Sequence, residues 1–85
     1  MNYFFYILQS VKDGSFYRGQ TDDVELRLKK HNAGEVRSTK AAKPWQLVYS
    51  EEYATRKEAM KREREVKLWK KRERIVALIK GNVIR

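Results

Sequence analysis

Residues 3–21, YFFYILQSVKDGSFYRGQT, decide the fold. Tyr3 to Leu8 is aromatic and aliphatic throughout, too short for an independent helix and rich in strand formers, so it predicts a buried strand. Lys12-Asp13-Gly14 is a turn signal in which Gly14 supplies a positive φ at little cost. Phe16 to Gln20 then reads as the returning strand of a hairpin. With Asp13-Gly14 as a two-residue loop, position 10 opposes 17 and position 6 opposes 21. Tyr6, Tyr17 and Gly19 then share one face of the sheet, and Arg18 points away from Tyr17.

Beyond the hairpin, Thr21-Asp22-Asp23 carries N-cap chemistry and opens a helix to about Asn32, stopped by Ala33-Gly34. Val24, Leu28 and His31 line one face of it, with Arg27 on the edge. Residues 35–44 have no clear periodicity and form a basic loop holding Arg37, Lys40 and Lys43 before the sole proline, Pro44. Trp45 to Glu51 alternates as a third strand, Leu47 and Tyr49 on one side and Val48 on the other. Thr55 and Glu58 stand at capping-box spacing, opening a helix to about Trp69. A second helical stretch, Arg72 to Lys80, ends at Gly81. The order β-β-α-β-α-α predicts an α+β fold: a small, mainly antiparallel three-stranded sheet flanked by helices. Residues 1–85 make a single domain with its core over about 3–79 and a short basic C-terminal tail.

A chain of 85 residues has no room for a second core. It has no cysteine, which excludes disulfides and thiolate zinc sites. No apolar run approaches the roughly 18 residues that span a bilayer, and no signal-peptide pattern precedes the first strand. A soluble, cytoplasmic protein without a membrane partner or small-molecule cofactor is the expectation. The net charge of +9 is unevenly placed. Residues 1–53 carry eight Lys/Arg against seven Asp/Glu, while residues 54–85 carry twelve against four. That asymmetry points to a polyanionic partner, because each neutralised phosphate releases condensed counterions. A solvated helix face kept soluble by lysines is the plainer alternative.

Four residue types carry candidate chemistry. At 100° per residue, Ala59, Met60 and Val66 define an apolar arc of the helix, and Glu63 falls inside it. A carboxylate facing a core needs a partner, either a divalent cation or an arginine or backbone donor. Arg27 and His31 sit one turn apart and reach the same spot. The arginine fork suits a phosphate, and histidine near neutral pH moves a proton or binds metal. Read singly, Arg27 is a surface ion pair and His31 a residue placed by the helix dipole. Tyr6 and Tyr17, otherwise packing residues, bring phenols that position water or act as acid or base near a cation.

This ordered set resembles the GIY-YIG nuclease family, named for its two tyrosine tripeptides. The matching stretches are Phe5-Tyr6-Ile7, Tyr17-Arg18-Gly19, Arg27, His31, and Glu63 in Ala59-Met60-Lys61-Arg62-Glu63. The Thr21…Arg27…His31-Asn32…Gly34 spacing and Pro44-Trp45…Leu47-Val48-Tyr49…Glu51 look like the small stand-alone bacterial branch. Three positions depart from the pattern: Phe5 replaces the first glycine, Arg18 an aliphatic residue, and Gln20 a lysine that some relatives carry.

The resemblance implies an active site of Tyr6, Tyr17, Arg27, His31 and Glu63 that hydrolyses DNA phosphodiesters. It implies one divalent metal on Glu63, magnesium by preference and manganese as the alternative. Gly19, lacking a side chain, is expected to let a phosphate or metal shell approach the sheet. Arg18, Lys40, Lys43, Lys67, Lys70 and Lys71 are expected to hold the backbone without reading bases. Cutting is then structure-specific or weakly selective, in repair or recombination. A catalytically inactive nucleic-acid-binding module is the competing class, and a protein adaptor a third.

Overall fold

Four consecutive side chains, Phe5, Tyr6, Ile7 and Leu8, are each at most 1% exposed, so both faces of the strand that carries them are covered. That explains the unbroken apolar run, since a strand buried on both sides has no polar face to alternate with. The computed structural model describes residues 2–84 in backbone and 2–81 in side chain; the end of the basic tail lies outside the described residues. β1 (Tyr3–Ser10) is the middle strand, flanked by β2 (Phe16–Thr21) and β3 (Trp45–Tyr53), all antiparallel. On one face Phe5 and Ile7 meet Tyr49, Val66 and Ile75, covered by α2 (Arg56–Lys67) and α3 (Arg72–Ile84). On the other, Tyr6 and Leu8 meet Trp45, Tyr17, Leu28 and Ala42 under α1 (Val24–Asn32) and a 3-10 helix (Arg37–Ala42). The predicted α+β class and element order are those of the structure.

The hairpin register differs from the expected one by two residues. Tyr6 pairs with Gly19 and Leu8 with Tyr17, not 6 with 21 and 10 with 17. The cause is the turn. Ser10 N–H donates to the Ser15 carbonyl and Gly14 N–H to the Ser10 carbonyl, both at 2.9 Å, so the loop runs from Val11 to Gly14. The Ser10 hydroxyl stabilises it by accepting from Lys12 and Asp13 N–H at 3.1 Å each. Gly14 has φ +77°, as its turn position predicts. A two-residue shift preserves side-chain parity, so Tyr6, Tyr17 and Gly19 still share a face.

β3 runs on to Tyr53 and carries an irregularity. Ile7 pairs with Tyr49 but Leu8 with Leu47, leaving Val48 as the extra residue of a β-bulge. Val48 and Tyr49 therefore both pack on the Phe5–Ile7 cluster, while Leu47 is 41% exposed. The expected placing of Leu47 and Tyr49 on one side and Val48 on the other fails at that point. The basic loop contains the 3-10 helix, whose Thr39 is buried.

Local chemistry explains the helix starts. The Asp23 carboxylate accepts from Leu26 N–H at 3.0 Å, and the Thr55 hydroxyl from Glu58 N–H at 3.2 Å. α2 ends at Lys67, two residues short of the expectation, and α3 continues through Gly81. Met60 is 43% exposed, so the apolar stripe of α2 is narrower than its helical projection. Among the described residues no helix is long and apolar enough to cross a membrane.

Gly19 is a close-approach position. A Cβ there would lie 2.7 Å from the Tyr6 hydroxyl and 2.8 Å from its Cζ, because the Tyr6 ring leans across the glycine facing it. The open space that Gly19 was expected to leave for a ligand is filled by that ring. Gly19→Ala is expected to lower the unfolding free energy by roughly 1–3 kcal/mol, the cost of overpacking a rigid ring. Urea denaturation against the parent chain measures it.

Candidate active site

The Tyr6 hydroxyl is a polar atom inside a packed layer, and such a group needs a partner. It lies 3.0 Å from Nε2 of His31, which is 0% exposed. The other ring nitrogen, Nδ1, lies 2.7 Å from the Thr39 hydroxyl, which faces the Val36 carbonyl at 3.3 Å. The chain of bonds has one consistent direction. Thr39 donates to Val36 and accepts from Nδ1–H, leaving Nε2 as the acceptor for the Tyr6 proton. Burial, and then the charge of Arg27, lower the His31 pKa to about 4, so the ring is neutral at pH 7. Burial raises the Tyr6 phenol to about 12, against the lowering influence of Arg27. Tyr6 is therefore a protonated phenol whose hydrogen is fixed toward His31, and its oxygen has acceptor capacity left over.

These contacts decide between readings of His31. Both ring nitrogens are engaged within the protein, which leaves no lone pair for a metal. A neutral ring also gains nothing from the helix dipole. His31 instead orients Tyr6. Tyr17 packs beside them, its ring 4.9 Å from His31 and 6.3 Å from Tyr6 between centroids.

Arg27, one turn before His31 on α1, lies against both phenols. Its interaction with Tyr6 raises its pKa further, burial opposes this, and Tyr17 adds to it. Its Nε is buried without a hydrogen-bond partner. Leaving a buried donor of a charged group unpaired is costly, and a guanidinium N–H among phenols is placed to receive an anionic oxygen.

Glu63 approaches the same cluster from α2, close enough for its charge to push Tyr6 upward. Its side chain is 21% exposed and forms an ion pair with Lys67 at 2.5 Å. The preceding residue anchors the helix. Arg62 donates to Glu51 from Nε at 3.0 Å and from a terminal nitrogen at 3.2 Å. Tyr53 donates to the same carboxylate at 2.6 Å, and Tyr49 also donates to it. Burial would raise the Glu51 pKa, but these hydrogen bonds outweigh it and hold the carboxyl below its usual range. Among the described residues no three His, Cys, Asp or Glu cluster as a metal cage. A single half-buried carboxylate fits an open magnesium site, in which the cation keeps its waters and borrows substrate oxygens.

The residues expected to hold nucleic acid fall in separate places. Lys67 is drawn to Glu63. Arg18 lies on the opposite face of β2 from Tyr17, in a cleft shared with Lys70, and Lys71 is exposed beside it. Lys40 and Lys43 reach back over Gly34, on the α1 side of the molecule. Sequence reasoning missed Thr39 and Glu51. Thr39 lies eight residues from its partner in a segment without periodicity. Glu51 was marked by its place between Tyr49 and Tyr53, two residues away on either side.

His31 is the chain's only histidine, so its titration is unambiguous. A folded pKa near 4 against an unfolded 6.5 means the unfolded chain binds the proton more readily. The stabilisation from neutral His31 is thus complete above pH 6.5 and is lost as pH falls toward 4. Between pH 7.5 and 5 this removes ~2 kcal/mol of unfolding free energy. In the folded protein the imidazole Cε1 proton should show no NMR titration over that interval; a midpoint near 6.5 would contradict the network.

Comparison with known proteins identifies the family. A model of the family described as the GIY-YIG catalytic domain matches residues 2–75. The chain is 40% identical over 80 residues to the UPF0213 protein of Staphylococcus saprophyticus, covering 93% of this chain and 96% of that protein. It is 40% identical over 74 residues to the UPF0213 protein of Bacillus pumilus, covering 86% and 74%. The solution NMR structure of the UPF0213 protein BH0048 from Bacillus halodurans shares 42% identity and a TM-score of 0.56, covering 92% of this chain and 85% of that one. The chain therefore belongs to the GIY-YIG family of nucleases and is similar to its small bacterial UPF0213 members.

Proposed function

We propose that the protein is a metal-dependent endonuclease that hydrolyses DNA phosphodiester bonds. The observation that carries this reading is the buried, unpartnered Nε of Arg27, set between two phenols and within the field of Glu63. GIY-YIG nucleases use a divalent metal, and here Glu63 would hold it, with magnesium preferred. When bound, that cation supplies charge neutralisation at a non-bridging phosphate oxygen and at the leaving 3′ oxygen. Arg27 donates to the phosphoryl oxygens and stabilises the charge that grows there. Tyr17 would orient the attacking water or, ionised to its phenolate, take its proton. Tyr6, its hydrogen fixed on His31 and its oxygen facing Arg27, would support this by holding that guanidinium in place. Thr39 and the Val36 carbonyl hold His31 in the tautomer this requires.

Lys67 has two roles in this scheme. It pairs with Glu63 in the free protein, and its ammonium would be free to meet a phosphate were Glu63 to hold a metal. Lys40, Lys43, Lys70, Lys71 and Arg18 add sequence-independent backbone contacts. So small a domain has little surface for reading bases, which favours structure-specific or weakly selective cutting, in DNA repair or recombination in the cytoplasm. The Glu63–Lys67 pair also supports a second reading, a nucleic-acid-binding module whose carboxylate is occupied by its own lysine.

Cleavage of labelled single-stranded, duplex and branched DNA with magnesium or manganese, against EDTA, separates the two. The parent should cut only with metal. Glu63→Ala should abolish cutting while retaining DNA binding in EDTA, and Arg27→Ala should lower kcat by roughly 10²–10³-fold. Salt-sensitive binding by the parent without any cutting would establish the binding module.

Lys67→Gln removes the competitor for Glu63. The magnesium concentration giving half-maximal rate should fall in this variant, at several fixed DNA concentrations. An increase would show that Lys67 serves the substrate more than it blocks the metal.

A further inference from the structure

Among the described residues, two buried side-chain nitrogens have no hydrogen-bond partner, and both are arginine Nε atoms. One is Arg27, in the candidate active site. The other is Arg18, which the reaction does not use. Arg18 pairs across the sheet with Ile7, on the face away from Tyr17, and lines a shallow cleft of about 250 Å³. Lys70 and Arg72 share its rim, and Phe16, Trp69 and Ile75 its apolar floor. No carboxylate lines it among the described residues.

The cleft has one fixed cationic wall. The Arg72 guanidinium lies 4.4 Å from the Phe16 ring centroid and donates to the Gly14 carbonyl at 2.9 Å. Trp69 is stacked by two arginines that do not line the cleft, Arg74 at 4.4 Å and Arg62, itself paired with Glu51, at 5.6 Å from its centroid. Guanidiniums held in this way lose less freedom when they bind an anion. The same stacking occupies the aromatic rings, so they are poor platforms for a nucleobase, and the ligand that fits is a phosphate rather than a base. Arg18 supplies a buried donor for it, and Lys70 a mobile charge.

We propose that this cleft, between β2 and the connection from α2 to α3, is a second phosphate site that holds the nucleic-acid backbone away from the bond being cut. This rests on the nucleic-acid reading above. β2 is an edge strand with Tyr17 on one face and Arg18, the next residue, on the other. A strand passing over that edge meets the candidate active site on one side and the cleft on the other. The contact carries no sequence preference, and it fixes the direction in which the polynucleotide leaves the site.

Fluorescence anisotropy of labelled duplex and single-stranded DNA in EDTA, across a series of salt concentrations, tests this without any cleavage. The full chain is compared with Arg18→Gln/Lys70→Gln and with Lys29→Gln/Lys80→Gln, which removes the same charge elsewhere. Urea midpoints confirm that each is folded, and Arg18→Lys/Lys70→Arg restores charge should the glutamines disturb β2. The slope of log K against log salt should shrink by about 1.8 on duplex and about 1.4 on single strand for the cleft pair, and markedly less for the control pair. The charge-restoring pair should recover the slope. An unchanged slope in the cleft pair overturns the proposal, as does an equal loss in both glutamine pairs, which would show only the effect of net charge. If the parent binds DNA as described but never cuts, the nuclease reading fails and the phosphate site stands.

Discussion

The site depends on where one phenolic oxygen can go. β1 is covered on both faces, so the Tyr6 hydroxyl must find its partner inside the protein rather than in water. That requirement brings the C-terminal end of α1 and the 3-10 helix onto the sheet, because His31 and Thr39 supply the partners. It also calls for a glycine at position 19, since the ring crosses that residue to reach its acceptor. Arg27 is then carried to the same place by the helical turn it shares with His31. A packing constraint thus assembles most of a reactive centre before any substrate is considered.

On the other side of the sheet a second, partly buried group does the same for α2. Glu51, held ionised by two tyrosines and Arg62, ties the helix to β3. Arg62 and Glu63 are consecutive, about 100° apart around the helix. The first fixes the rotation of α2, and with it the position of the second, whose charge is felt at Tyr6. The candidate site is in this sense the junction of two satisfied polar networks, each holding one helix against the central strand.

Much of this was legible in the sequence because the signals are local. The apolar run of β1, the caps at Asp23 and Thr55, and the parity that groups Tyr6, Tyr17 and Gly19 each follow from a few neighbouring residues. Non-local features were not legible. The hairpin register depends on the Ser10 hydroxyl preferring a longer loop to the tighter turn that Asp13-Gly14 suggests. The bulge at Val48 has no local mark, since it is set by how β3 packs against β1. Met60 lies on the projected apolar arc of α2 yet stays exposed, because only Ala59 and Val66 meet the sheet. In the site, residue types and order were readable, but the neutrality of His31 was not: it comes from burial and from Thr39, whose position depends on the fold of an aperiodic segment.

Charge completes the picture. A chain of net charge +9, with Lys67 already on Glu63, is a poor host for a free dication. In the proposed mechanism a bound polyanion would reverse the local field, supply oxygens that a single carboxylate lacks and give Lys67 another partner. Metal and nucleic acid would then favour each other's binding, by the same factor in each direction. In the proposed mechanism the single carboxylate is therefore no deficiency. A site with two or three would hold its cation in the absence of substrate, whereas one carboxylate countered by a lysine makes a complete metal site conditional on the presence of the strand it cuts.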